Sequence, residues 1–302
     1  MAAKGRALCR GGQDMSGSMQ AYPRWLRGLL LAPGLLALAV TFILPLIWLG
    51  RISVLPRSGD GVTLPGFTLQ AYQHVLGDGF YWWVLWKTVW LGVLTAALAV
   101  PMAFPIALFL ARTTTRWRGV LAALAIAPLL TSTVIRTYGW MVILGRHGMI
   151  NDMLLWSGLL ATPVRLDNGT LATVIALTEI LMPYAIISIL SNLGRLNMEI
   201  EQAAALLGAT PVQVFRRVVL PLVLPGLMTA ALLVFVLAIS SLVTPQLMGG
   251  GRVFVLATEI FNETTVTLNW QVAGALSILL LLLFGGVISV YQRILSRMEE
   301  RF

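Results

Sequence analysis

The sequence predicts an all-α integral membrane protein, and three observations carry that reading. Hydrophobic residues make up 58% of the 302-residue chain and charged residues only 11%, against about 25% charged in a soluble globule. Six apolar runs are each long enough to cross a bilayer, which takes about 20 helical residues. The mean hydropathy of +0.86 leaves too little polar surface to clothe a soluble fold.

Taken in order, the chain opens on a Gly-, Ser- and Met-rich stretch without periodicity, so 1–24 reads as a disordered cytoplasmic tail. Met15 and Met19 stay open as alternative starts. The first apolar run, 26–50, is too long for a signal peptide and lacks a small-residue cleavage site, so it reads as a retained anchor. With its outer loop it fills 25–84. A core follows over 85–293, with spans at 85–111, 119–144, 170–191, 226–248 and 271–293 and a polar connection at about 197–225; 294–302 closes the chain as a cytoplasmic tail. Prolines 33, 45, 101, 105, 128 and 183 fall inside spans, where neighbouring helices re-satisfy the freed backbone groups. The run FYWWVLW at 80–86 reads as an interfacial aromatic belt.

Charge orients these spans. Fourteen of the 21 Lys and Arg residues lie in the N-terminal tail, the second-to-third connection (Arg112, Arg116, Arg118), the fourth-to-fifth connection (Arg195, Arg216, Arg217) and the C-terminus. Six lie on the opposite side: Arg51, Arg57, Lys87, Arg146, Arg165 and Arg252, and six carboxylates there, Glu259 and Glu263 among them, cancel them. The net charge of +9 is thus all on one face, and the positive-inside rule makes that face cytoplasmic, with both termini on it. A pI near 10.6 would suggest nucleic acid in a soluble protein. Here the placement of charge points to membrane insertion and anionic lipid instead.

Several chemistries are poorly supplied. Cys9 is the single cysteine, so no intramolecular disulfide forms. His74 and His147 stand far apart without Cys or His neighbours at ligand spacing, and no metal or other cofactor is expected. The only lysines, Lys4 and Lys87, follow no glycine-rich strand-to-helix turn. The chain therefore carries no phosphate-cradling G-x(4)-G-K-[ST] loop, and it is not read as an enzyme.

One polar stretch interrupts the apolar chain: EQAAALLGATPVQVFRRVVLPLVLPG, residues 201–226. Residues 197–207 favour helix, and Gly208 can end it in a left-handed conformation. Thr210 fits an N-cap, Pro211 the first helical position, and Gln213 completes a capping box. A second short helix follows at about 211–219, with Val214 and Val218 on one side and Arg216 and Arg217 towards water; Pro221 and Pro225 stiffen the re-entry into the next span. Local physics leaves two uses open: a structured loop lying on lipid, or a helix docked in a groove on a soluble partner.

The pattern E-x-A-A-x(3)-G-A-T-x(4)-F-x-x-V-x-L-P-x-x-x-P-G, carried by Glu201, Ala203, Ala204, Gly208, Ala209, Thr210, Phe215, Val218, Leu220, Pro221, Pro225 and Gly226, resembles the EAA loop of binding-protein-dependent ABC importer permeases. Residues 128–151, with Pro128, Arg136, Thr137, Tyr138, Trp140, Leu144, Gly148 and Asn151, are similar to the third-span signature of spermidine/putrescine-type permeases. The resemblance covers about 85–293. It implies a six-span type I ABC importer transmembrane domain in a bacterial inner membrane. It further implies that about 197–225 is a coupling segment on which two ATPase subunits dock, and that a second permease subunit and an extracytoplasmic solute-binding protein complete the complex.

Arg136 and Glu179 are the only charges well inside spans, where ionisable groups are costly and face the bundle interior or a partner. Each lies about 12–13 Å from the outer end of its span at 1.5 Å per residue, so the two can pair. The pair can be structural. It can also line the solute path, with Tyr138, Trp140 and Tyr184 offering aromatic faces to a cation. Other readings are the same importer role for ferric iron, an opine or an amino-acid derivative; a proton-coupled carrier; and an intramembrane enzyme using Glu179 and His147, which lacks any paired-carboxylate geometry.

Overall fold

The computed structural model describes residues 24–56, 64–159, 162–194 and 198–299. The tail expected over 1–24 lies outside the described residues apart from Arg24, as do Arg57 and Arg195 of the charge pattern. The regular elements among the described residues are all helical: α1 (Arg24–Ser53), α2 (Gln70–Gly77), α3 (Gly79–Arg112), α4 (Arg118–Ile126), α5 (Thr133–Leu144), α6 (Met149–Trp156), α7 (Thr170–Leu193), α8 (Met198–Leu206), α9 (Pro211–Val214), α10 (Leu220–Ile239), α11 (Val243–Met248), α12 (Leu256–Thr265) and α13 (Trp270–Glu299). A 3₁₀ turn at Ala127–Leu130 extends α4, and a π turn at Phe215–Val219 joins α9 to α10.

Among the described residues, five stretches are long and apolar enough to cross a membrane: Ala32–Ser53, Gly79–Arg112, Thr170–Leu193, Pro211–Ile239 and Trp270–Arg297. The bent pair Arg118–Leu130 and Thr133–Trp156 makes a sixth when taken as one span. Contacts divide the chain into a unit ending at Leu49 and a unit from Gly50 onward. The first contains most of α1, an apolar helix with Pro33 and Pro45 inside it.

The core of the second unit is the packing of α3, α7 and α10. Lipid tails are as apolar as leucine, so close approach rather than burial of large side chains holds such helices together. Alanines supply that approach: Ala99, Ala103 and Ala107 on α3, Ala172, Ala176 and Ala185 on α7, and Ala230 and Ala238 on α10 are all buried. Two glycines mark the tightest points. A Cβ at Gly92 would sit 2.5 Å from Ile239 Cγ2, and one at Gly226 would sit 2.6 Å from Asn192 Cβ.

Three features depart from the sequence expectation. The span expected over 119–144 is broken at Thr131–Ser132 and bends by 95°. Pro128 cannot donate to the preceding turn, the backbone tightens to 3₁₀ over Ala127–Leu130, and the freed Pro128 carbonyl accepts from Thr131 N (3.2 Å), Thr131 Oγ1 (2.7 Å) and Arg136 Nη1 (3.1 Å). The straight-helix depth assigned to Arg136 therefore does not apply. Second, the helix expected over 226–248 ends at Ile239. Ser240 Oγ bonds back to Val236 O and Leu237 O at 3.0 and 3.1 Å, Pro245 cannot donate, and α11 starts as a separate turn. Third, the short helix expected over 211–219 is not free-standing but runs through the π turn into α10. Leu220 N donates to Phe215 O, and the widened turn makes room for the ring of Pro221, which has no donor of its own.

Candidate functional site

Two groups of sequence-selected residues are brought together by the fold. The first is at the break of the bent span. Arg136, in the first turn of α5, reaches across to α7: its Nη2 donates to Glu179 Oε1 at 2.7 Å and to the Glu179 carbonyl at 3.1 Å. Trp140, one turn along α5, donates its indole N–H to Glu179 Oε2 at 3.2 Å. Each carboxylate oxygen thus has its own donor. The guanidinium side chain is 12% exposed and the carboxylate 35% exposed, so the anion is the more open member of the pair. Arg136 Nε is buried and finds no partner among the described residues.

Tyr138 and Tyr184 do not join this group. Tyr138 is two residues from Arg136, about 200° round the helix at 3.6 residues per turn, and is 53% exposed. Tyr184 is also exposed and makes no hydrogen bond with the trio. Thr137, between Arg136 and Tyr138, is buried and its hydroxyl meets Thr244 Oγ1 of α11 at 3.1 Å.

The second group is the coupling segment. Helix α8 ends where Gly208 takes φ +86°, and Ala209 N donates to Ala204 O at 3.2 Å, the long bond of a Schellman closure. Thr210 then caps α9: its N–H donates to Gln213 Oε1 (2.9 Å), and Gln213 N donates to Thr210 Oγ1 (3.4 Å), with Pro211 following the cap. Ala204, Ala209 and Phe215 pack inward against the core, the Phe215 ring lying 6.0 Å from that of Phe104 on α3. Ala203 and Gly208 face outward, and Leu206 and Leu207 are each 90% exposed. Val212 is exposed beside them. Glu201 is fixed by Arg112, whose Nη2 lies 2.7 Å from both carboxylate oxygens. A cleft of about 310 Å³ opens there between Arg112, Glu201, Ala209, Pro211, Phe215 and Val219. In the sequence Arg112 reads as a topology charge; only the fold shows that it ties the end of α3 to α8.

A third group was not singled out from the sequence. Glu259 and Glu263 stand one turn apart on α12, buried at its inner face, although their charges read simply as outer-loop anions. The signal was present in T-E-I-F-N-E-T-T: carboxylates at i and i+4 share a helix face. Glu263 accepts from Thr267 Oγ1 (2.5 Å) and Tyr81 Oη (3.5 Å). Glu259 borders a cleft of about 200 Å³ with Gln246, Phe254, Thr258 and Asn262. Burial raises its pKa, the charge of Glu263 raises it further, and the Asn262 side chain opposes the rise.

Comparison with known proteins places the chain. The family described as "Binding-protein-dependent transport system inner membrane component" matches residues 17–299. The spermidine/putrescine transport system permease protein PotB of Haemophilus influenzae is 31% identical over 269 residues, 89% of this chain and 90% of that one. PotB of Escherichia coli K12 is 30% identical over 256 residues, 85% of this chain and 93% of that one. Among solved structures, a chain of a bacterial ABC transporter that imports the acidic polysaccharide alginate superposes with a TM-score of 0.73 at 17% identity, covering 90% of this chain and 96% of that one. That likeness concerns the fold alone.

Proposed function

From the premise that the chain belongs to the binding-protein-dependent transport system inner membrane components, we propose that it forms half of the translocation path of an ATP-driven importer for a polyamine-like solute. The observation that carries the solute class is the match to spermidine/putrescine permeases at 31% identity over nine-tenths of their length. The geometry supports it. In the Arg136–Glu179 pair the guanidinium is the sheltered partner, held also by the Pro128 and Glu179 carbonyls, while the carboxylate is the open one. A cation approaching this pair meets the anion first.

Permeases of this family work with a separate ATPase subunit and a solute-binding protein. The exposed Leu206, Leu207 and Val212, mounted on a doubly capped turn, suit docking of ATPase subunits, two per complex. The π turn then transmits motion, because α9 and α10 are one continuous element: displacement of Thr210 and Pro211 is passed to α10. A second permease subunit completes the path, and the basic face lies on the cytoplasmic leaflet with both termini. A loaded binding protein docks outside, ATP binding closes the ATPases and opens the path outward, and hydrolysis resets it.

The test is uptake of labelled putrescine and spermidine by the native cell with and without this gene. Loss of uptake, restored by the gene but not by an uncoupled variant of the coupling segment, supports the reading. Unchanged uptake removes the polyamine assignment and moves the solute to the wider set of ferric iron, opines and amino-acid derivatives.

A further inference from the structure

We propose that the cleft between α11 and α12 is a second, outer subsite that takes the alkylammonium end of the solute before it reaches the Arg136–Glu179 pair. This inference rests on the polyamine reading for its physiological ligand, but the chemistry of the cleft is its own. Glu259 is only 6% exposed and borders the cleft, yet no Lys, Arg or His lies within ion-pair distance of it among the described residues. A buried carboxylate is costly unless a cation or a set of donors compensates it. Glu263, one turn on, has donors in Tyr81 and Thr267; among the described residues Glu259 has only the neighbouring Asn262 amide.

The rest of the lining fits the same ligand. Phe254, on the cleft wall, is the inner member of an aromatic group: its ring lies 5.8 Å from Phe80 and 6.0 Å from Trp83. An ammonium held by Glu259 finds an aromatic surface for its charge and first methylenes. Gln246, Thr258 and Asn262 add oxygen acceptors for its remaining protons. The volume of about 200 Å³ is below the roughly 300–1,000 Å³ of a pocket that buries a whole ligand. It suits one end of a polyamine and leaves the other end free to move on. The continuation is built in: Pro245 and Gln246 of the cleft belong to α11, whose Thr244 touches Thr137, the residue next to Arg136.

The experiment uses the assembled complex, with its ATPase and binding protein, in lipid nanodiscs. Cys9→Ser removes the single native thiol of this chain, and Gln246→Cys places a reporter at the exposed rim. The rate of maleimide labelling is measured with propylammonium and, in parallel, with propanol. The expected result is slower labelling with propylammonium and none of that protection with propanol. Glu259→Gln weakens the protection about tenfold in concentration, the order of one lost charge-assisted hydrogen bond, and Glu259→Asp restores part of it. Equal effects of propylammonium and propanol, or undiminished protection in an assembled Glu259→Gln complex, overturn the proposal. If Glu259→Gln does not assemble, the propylammonium–propanol comparison on the reporter alone decides. Putrescine transport without protection removes this subsite and leaves the importer reading standing; protection without putrescine transport does the reverse.

Discussion

Arg136, just past the break of the bent span, sits 2.7 Å from Glu179 of α7 and simultaneously holds, across the break, the Pro128 carbonyl that the break exposes. The two residues are therefore unequal. Arg136 supports the backbone as well as the charge; Glu179 supplies the open anion. Arg136→Ala should destabilise the subunit by about 2–3 kcal/mol, below the roughly 3–5 of a fully buried pair because the carboxylate keeps some access to solvent. Glu179→Gln keeps the shape but only one side-chain acceptor oxygen, so either Arg136 or Trp140 loses its partner there while the bond of Arg136 to the Glu179 backbone carbonyl stays. It should leave the complex assembled while polyamine uptake falls at least about tenfold, the cost of one charge-assisted contact. Size-exclusion recovery of the complex beside initial uptake rates separates the two outcomes; normal uptake in Glu179→Gln would remove the residue from the path.

Leu207 offers a cleaner test of coupling than the glycine beside it. Its side chain is 90% exposed and contributes little to this subunit's own packing. Leu207→Glu should leave thermal stability within about 0.5 kcal/mol, as surface changes usually do, while co-purification of the ATPase subunit drops. Gly208→Ala acts differently: φ +86° costs an L-residue about 1–2 kcal/mol, and Thr210→Ala removes a cap worth about 1 kcal/mol. Both should loosen the turn and lower the ratio of solute imported to ATP hydrolysed. Retained ATPase binding in Leu207→Glu would argue that the segment lies on lipid.

The contact of α3 with α10 admits no side chain at Gly92, where a Cβ would fall 2.5 Å from Ile239 and 2.8 Å from the Phe235 ring. Gly92→Val should overpack this contact at a cost of about 1–3 kcal/mol or more. Gly139→Ala is the matched control, since a Cβ there meets nothing within 4 Å and alanine favours helix over glycine by about 0.5–1 kcal/mol. Differential scanning of the purified complexes should lower the Tm for the first and hold or raise it for the second.

The features legible in the sequence are those set by local chemistry. The turn at Gly208, the cap at Thr210 and the start of α7 need only neighbours in the chain, and they are where periodicity and punctuation put them. The breaks at Thr131–Ser132 and Ser240–Leu242 were not legible, because hydropathy continues through them. At the first, Thr131 and Arg136 take up the carbonyl of Pro128; at the second, the Ser240 hydroxyl bonds back to Val236 O and Leu237 O ahead of Pro245. The Arg112–Glu201 tie joins residues 89 positions apart, and the inward turn of Glu259 is set by the packing of α12 against its neighbours, which no local pattern encodes.

That inward turn has a pH signature. Glu259 has its pKa raised from the usual 4.5 by burial first and by the charge of Glu263 second, with Tyr81 of α3 also facing the pair. A raised folded-state pKa means that the folded protein binds the extra proton between the unfolded value and its own. Its stabilising share is therefore complete below about pH 4.5 and is lost as pH rises through the folded value. At neutral pH the ionised carboxylate is a net cost that Glu259→Gln removes. The variant should melt higher than wild type at pH 8, and the difference should shrink steadily as pH falls towards 5. Propylammonium should close the same gap from the other side, raising the wild-type melting temperature at pH 8 and leaving that of Glu259→Gln unchanged. A gap that does not vary with pH would mean that Glu259 is uncharged or compensated throughout, and would remove the reason for a cation to bind there.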